Sequence, residues 1–515
     1  MSITTSPPVE INDSQSDYVG PADERNDRVF PSMELSSTTG SIGDPTSQEN
    51  PFLPQHLSAS PAISNGTQQT KPPPPLTGNH PIQAQCDQEI MSMPPPSHVY
   101  LNGHNGHRMS PRPTRESVLR RLSEALLRRS LTVIDMSQRD LVPSDSKLIK
   151  IAVMQNVNLH TLKLAYNHLG DEGLITLAPA LAHSNIQSLD LGFTGVGDMG
   201  MEALANAFLQ GDVRATSNLL TKQRQRQIRQ SKLDTLYLSG NCITTRGCLA
   251  LSKMIQFGSC KLEKLHLTGN RIGVDGVRSL TRALALPVGF GVNAEADDQK
   301  GIQELFLGGT GIGSEGCHAV AEMLSSVRTL RILSLADNNL GDRECNILSD
   351  AIKKNRNQLP LEALQLSFNH ISCVGVESLM NAVWGSPYLH ELRLDNNCIA
   401  DRGAQLIAVV VANVPSLSRL DVGFNNLTAL GMRALMKSIA ESEKIVSLSI
   451  SGNKLDTDGA KAVAYALAYN RSLKYFFMDN CAANHYSQRH ITAGIVSNSQ
   501  VALHTITGFR IGGRN

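Results

Sequence analysis

One spacing recurs through most of this 515-residue chain and restricts what it can fold into. The unit at 159–181 reads LHTLKLAYNHLGDEGLITLAPAL, which is Leu-x-x-Leu-x-Leu-x-x-Asn-x-Leu, then Gly, then a helical stripe. Its first apolar residue returns at Leu131, Leu159, Ile186, Leu233, Leu262, Ile302, Leu330, Leu361, Leu389, Leu417, Ile445 and Leu473. Seven of the eleven intervals are 27 or 28 residues, so a repeated supersecondary unit organises the chain. A single unit of this size cannot bury its own apolar face, and stacking on neighbours supplies the missing cover.

Each slot has a physical task. Leu162 and Leu164, or Leu392 and Leu394, alternate inward from a short strand. Asn167, Asn241, Asn270, Asn338, Asn369, Asn397, Asn425 and Asn453 stand where the chain leaves that strand. A buried amide there can bond backbone groups that the turn leaves unpaired. Glycines such as Gly173, Gly247, Gly375 and Gly431 follow six residues later, where a compact turn or close packing disfavours a side chain. Leu177 with Leu181, and Leu435 with Ile439, then mark one buried helix face. Aromatics make up 4% of the chain, so the core must rest on Leu, Ile, Val and Ala. Cys248, Cys317 and Cys345 occupy one helical position of three repeats and read as buried hydrophobes with free thiols, while Cys242 and Cys398 are expected to be more exposed.

This pattern, over about residues 131–480, resembles the ribonuclease-inhibitor subfamily of leucine-rich repeats. That subfamily includes ribonuclease inhibitor, the repeat arrays of NOD-like receptors and Ran GTPase-activating protein. The expected fold is an α/β horseshoe solenoid with parallel strands on the concave face and helices on the convex face. The first and last units depart from the pattern, with Arg139 and Cys481 at the Asn slot. Residues 481–515 are expected to form a C-terminal cap.

Composition changes near residue 114. Of 24 prolines, 18 precede it, among Ser, Thr, Asn, Gln and Gly without apolar periodicity, so residues 1–113 are expected to form a disordered tail. Residues 114–130 follow as a basic amphipathic helix that caps the first repeat, with Thr114 as its N-cap. Within it, Arg120-Arg121-Leu122-Ser123 has the form of a basophilic kinase site that a structured helix would hide.

The residue between the inward leucines faces the concave surface. Along the array this slot holds Asp135, Lys163, Asp190, Tyr237, His266, Phe306, Ser334, Gln365, Arg393, Asp421, Ser449 and Phe477. Tyr237, His266 and Phe306 are consecutive and predict an exposed aromatic row, the residue class that binding hot spots favour. Arg393 and Asp421 are further contact candidates on the same face. A second row, Tyr166, Phe193, Phe368 and Phe424, fits spacer and contact equally well. Two intervals, of 47 and 40 residues, are too long and place inserts near 210–232 and 287–301 on one rim. The first is basic, the second is acidic, and the rim, with Arg224 and Arg226, is expected to form one partner site with Tyr237, His266 and Phe306.

Chemistry is absent from these patterns. There is no Walker loop, G-x-S-x-G, HExxH or zinc-spaced Cys/His cluster, so no catalytic residue, metal or cofactor is expected. Asp190, Asp395 and Asp421 read as carboxylates on an open surface that does not tune their pKa. A formal net charge of +1 points to neither a polyanion nor a membrane partner. No apolar run approaches a span, and the N-terminus has no secretory signal, so the cytoplasm is the expected compartment with the nucleus as alternative. The leading functional expectation is a non-enzymatic protein-interaction scaffold, with neither nucleic acid nor a small molecule as ligand. The resemblance also implies a Ran-type GTPase activator, against which stands an ending, HTITGFRIGGRN, without that family's acidic segment. The basic insert suggests RNA association, without the interleaved aromatics that would support it.

Overall fold

The computed structural model describes residues 114–126, 131–213, 232–257, 260–285, 301–481, 485–497 and 505–507. Residues 1–113 and most of both inserts, Arg224 and Arg226 included, lie outside the described residues. Thirteen three-residue strands are described: β1 (Val133–Asp135), β2 (Thr161–Lys163), β3 (Ser188–Asp190), β4 (Thr235–Tyr237), β5 (Lys264–His266), β6 (Glu304–Phe306), β7 (Ile332–Ser334), β8 (Ala363–Gln365), β9 (Glu391–Arg393), β10 (Arg419–Asp421), β11 (Ser447–Ser449), β12 (Tyr475–Phe477) and β13 (Thr505–Thr507). They form one parallel sheet in chain order, open at β1 and β13. The helices are α1 (Arg115–Leu126), α2 (Ser146–Gln155), α3 (Gly170–Ala182), α4 (Asp198–Val213), α5 (Thr245–Phe257), α6 (Gly273–Ala285), α7 (Gly313–Leu324), α8 (Asp342–Lys354), α9 (Cys373–Val383), α10 (Ala400–Asn413), α11 (Ala429–Glu441), α12 (Thr457–Tyr469) and α13 (His485–Ser497). From α2 onward each helix packs on the next. α4 runs to Val213, past the position at which the sequence pattern starts the first insert.

Strands lie about 4.8 Å apart and packed helices about 10 Å apart, so a layer of each can stay in register only by curving with the strands inside. The middle residue of each strand points into the shared core: Leu162, Leu265 and Leu392 are fully buried, as are Leu177, Leu280 and Leu435 from the facing helices. Cys248, Cys317 and Cys345 are buried and free, and Cys242 and Cys398 are exposed. Thr114 caps α1, its Oγ1 accepting from the Ser117 N–H at 3.3 Å. Leu122 of α1 enters the core, and Arg115 grips Asp145 through two contacts of 2.8 and 2.6 Å.

The repeated Asn joins successive turns. Asn241 Oδ1 accepts the N–H of Thr194 at 3.1 Å and of Val196 at 3.0 Å, both one turn back. Its Nδ2 donates to Leu191 O of that turn at 2.8 Å and to Leu238 O of its own at 2.9 Å. Asn453 repeats the arrangement, and Asn270 and Asn397 repeat it with one accepted amide each. Where the slot holds Thr, the hydroxyl replaces the bond within its own turn: Thr194 Oγ1 donates to Leu191 O at 2.7 Å, and Thr310 Oγ1 to Leu307 O at 2.6 Å. Cys481 keeps a weaker form of the bond to the previous turn, its thiol donating to Ile450 O at 3.4 Å. The buried Asn470 amide likewise joins turns, donating to Ile439 O at 2.6 Å and Ser442 O at 2.8 Å.

A second coupling was not read from the sequence. Aspartates at the start of one helix cap the next. Asp198 Oδ1 accepts from the N–H of Thr244 and of Gly247 at 2.8 Å each, and its Oδ2 from the Thr244 hydroxyl at 2.6 Å. Asp401 does the same for Thr428 and Gly431, and Asp342 for Ser372 and Gly375. The repeat glycine is required by this approach: a Cβ at Gly247, Gly375 or Gly431 would lie 2.6, 2.6 or 2.5 Å from the capping carboxylate. The signal was present as Asp-x-Gly in Asp171-Glu-Gly173, Asp198-Met-Gly200 and Asp401-Arg-Gly403.

Replacing Asn270 with Ala strands backbone groups on two turns and should cost about 1–3 kcal/mol, read as a lower urea midpoint. Asp401→Ala should cost about 1 kcal/mol as the loss of a helix cap. Burial pushes the Asp401 carboxyl up, but hydrogen bonds from the Thr428 hydroxyl and the Thr428 and Gly431 amides outweigh it and hold its pKa below the ordinary value. The cap therefore stabilises the fold above the unfolded carboxylate pKa, and its contribution disappears as pH falls through the lowered folded value. Asp401→Ala and the parent chain should converge in thermal stability in strong acid, and a difference independent of pH would contradict the assignment.

Candidate functional site

The strand register brings the predicted residues together. Asp190 pairs with Tyr237, Tyr237 with His266, and His266 with Phe306, one on each of β3 to β6. Their side chains leave the face opposite the core, because a strand alternates sides with a period of two. The rings touch. Tyr237 and His266 have centroids 4.5 Å apart at 50°, and His266 stacks on Phe306 at 4.1 Å and 16°. Contact between the rings changes the expected exposure: Phe306 is buried at 7% exposure and the His266 side chain retains 14%. Neighbours one strand away cover each face of a central ring, so the row is a half-buried ladder and not a set of free rings. Tyr237 is half-buried at its end.

Carboxylates surround the ladder. Glu304, beside Phe306 on β6, holds Lys264 at 2.5 Å and lies 3.7 Å from His266 Nε2, an atom that is buried without a hydrogen-bond partner. Burial raises the Glu304 carboxyl, and His266 and Lys264 outweigh that to keep its pKa low. Burial, with Glu304, Asp190 and Asp234 nearby, pushes the Tyr237 phenol up to about 12, so it remains a hydrogen-bond donor across physiological pH. Asp190 is pushed up by burial, against the Gly192 N–H that it accepts at 3.0 Å.

A second polar group lies further along the same face, on β9 and β10. Arg393 Nε is 4.0 Å from Glu391, which also accepts from Arg419 at 3.3 Å and from Gln365 at 3.1 Å. Asp395 accepts from the Ser367 hydroxyl at 2.5 Å and the Asn396 amide at 3.0 Å, and Asp421 accepts from the Gly423 N–H at 3.0 Å. For Asp190 and Asp421 the expectation of untuned carboxylates is corrected. Burial and the charge of Asp395 raise Asp421 to about 7, with Arg393, Gly423 and Ser449 opposing. A concave surface one residue deep suffices for this, because neighbouring strands deny each carboxylate much of its water.

The second aromatic row occupies a turn position with a left-handed backbone. Tyr166, Phe193, Phe368 and Phe424 have φ of 57°, 55°, 55° and 52°, where other turns place Gly, Asn, Asp or Gln. Such a conformation costs an L-residue roughly 1–2 kcal/mol, which ring packing must offset. Tyr166 stacks on Phe193 at 4.7 Å and 4°. The next turn yields space in turn: a Cβ at Gly240 would lie 2.2 Å from the Phe193 ring, and one at Gly452 2.2 Å from that of Phe424. These two rings are spacers between turns, although Phe424 remains 43% exposed.

Among the described residues, no group of three or more His, Cys, Asp or Glu could hold a metal, and no helix is long and apolar enough to cross a membrane. For Asp421, the sign of the pH effect follows from its raised value. Its contribution to stability is fully present below the unfolded pKa and is lost as pH rises through about 7. Asp421→Asn should therefore raise the melting temperature at pH 8 and leave it unchanged at pH 4. An equal shift at both pH values would contradict the raised Asp421 value.

A family profile agrees with this repeat architecture. The Leucine Rich repeat family profile matches residues 155–178, 182–205, 230–252, 258–280, 328–343, 359–380, 385–408, 415–436 and 441–464. Ribonuclease inhibitor of Mus musculus is 34% identical over 95 residues, 18% of this chain and 20% of its own, so the matched stretch spans about a fifth of that relative. Among solved structures, an internalin of Listeria monocytogenes is 16% identical with a TM-score of 0.41, covering 75% of this chain and 92% of its own. The yeast Rad7 and Elc1 complex is 15% identical with a TM-score of 0.44, covering 71% and 83%. Repeats in register, an Asn ladder joining them and the matched profile together make this chain a leucine-rich-repeat protein of the ribonuclease-inhibitor-like kind.

Proposed function

We propose that the chain is a non-enzymatic scaffold that binds a protein partner on the concave face of its sheet, with the Tyr237–His266–Phe306 ladder as the anchor. The observation that carries this reading is the ladder itself: three rings in mutual contact on consecutive strands, on the sheet face away from the core. The leucine core is complete without them, so the fold alone does not call for aromatics there. Rings held by their neighbours lose little side-chain freedom on binding, which lowers the entropic cost of recognition. The surrounding Asp190, Glu304 and Lys264 form a polar rim of the kind that accompanies an apolar anchor. Arg393 and Asp421 provide a second set of contacts on the same face. A partner large enough to span β3 to β10 is a macromolecule, so a small-molecule ligand is not favoured.

Phe306 is unsuited to a test because removing a buried ring costs stability in its own right. Tyr237→Ala with His266→Ala should weaken the bound partner at least about thirty-fold, the loss of a binding hot spot, with the melting transition retained. Tyr469→Ala, on the exposed side of α12, is the matched control and should bind normally. Unchanged affinity of the double variant in titration against the purified partner would refute the ladder as anchor. Loss of binding in Arg393→Ala alone would move the anchor to β9 and β10.

A further inference from the structure

We infer that Ser123 is a phosphorylation site for an arginine-directed protein kinase, and that its phosphoryl group loosens α1 from the first repeat. The sequence places Arg120 and Arg121 three and two residues before Ser123, and such a pair of cations is recognised through charge-assisted bonds to carboxylates. The fold leaves this segment accessible. Ser123 and Arg120 are both exposed, and the Ser123 hydroxyl donates within the helix to Leu119 O at 3.0 Å.

The helix that carries the site can open. Twelve residues is within the range where a helix in water is marginal without tertiary support. Its firm anchor, the Arg115–Asp145 pair, holds the opposite end. Near Ser123 the described support is Leu122 in the core, with Leu119 partly buried one turn earlier. Opening the last turns of α1 would present residues 120–123 in extended form while Arg115 keeps the segment tethered.

In the reaction the Ser123 Oγ attacks the γ-phosphorus of ATP. The Oγ–P bond forms, the bond to the β,γ-bridging oxygen breaks, ADP leaves and the hydroxyl proton passes to the kinase's base. The product has lost the donor to Leu119 O and carries a charge of about −2 in the last turn of α1, where the helix dipole disfavours anions. Arg120, one turn earlier, offsets part of this charge, so the expected opening is modest.

The test incubates the full chain with ATP and the catalytic subunit of an arginine-directed kinase, with site mapping by mass spectrometry. One phosphate should appear on Ser123, be absent in Ser123→Ala, and form roughly ten-fold more slowly in Arg120→Ala, equivalent to one lost charge-assisted contact. Hydrogen exchange of amides 115–126 should be about three-fold faster in the phosphorylated chain. If a peptide of residues 115–129 is modified while the folded chain is not, the helix hides the site and the proposal fails. It fails equally if neither is modified. Phosphorylation without faster exchange would overturn the loosening of α1.

Discussion

Every turn of this solenoid leaves backbone donors and acceptors at its corner, and they are satisfied by the adjacent turn. Asn241 illustrates the arrangement, with an oxygen that takes two amides of one turn and a nitrogen that serves carbonyls on two. A buried polar group without a partner costs more than a typical hydrogen bond returns, so these corners dictate how closely turns must stack. Asp198, Asp342 and Asp401 impose the same rule at the helix ends. The leucine spine supplies the larger driving force, but it is non-directional, whereas the polar couplings fix register.

That register is what creates a surface. Because each strand pairs residue for residue with the next, side chains in one slot come within contact distance of one another, as His266 and Phe306 do at 4.1 Å. Placing aromatics in consecutive slots builds a ladder, and placing carboxylates near one another, as with Asp395 and Asp421, helps raise the proton affinity of Asp421. The physical character of the concave face therefore depends on pairs of neighbours, and single residues are poor guides to it.

Two features follow from this pairwise character. Phe306 is the best-covered member of its row, because it has a ring beside it and sits within the sheet. Phe193 adopts a left-handed backbone that an aromatic residue ordinarily avoids, and Gly240 on the next turn leaves room for its ring. In both cases the side chain of one repeat is explained by a residue 40 to 47 positions away, or by one that is missing a side chain.

The repeat period, the inward leucines, the Asn and Gly slots and the identity of the outward row were all legible in the sequence, because each is a local pattern carried by the 28-residue unit. Tyr237, His266, Phe306, Arg393 and Asp421 could be assigned to one face for the same reason. What those residues experience there was decided by the tertiary structure. The mutual cover of the aromatic rings, the raised proton affinity of Asp421 and the Asp-to-helix caps depend on which side chains the stacking of turns brings within a few ångströms. Periodicity specifies direction from the backbone, whereas burial and electrostatics are set by distances between residues of different turns.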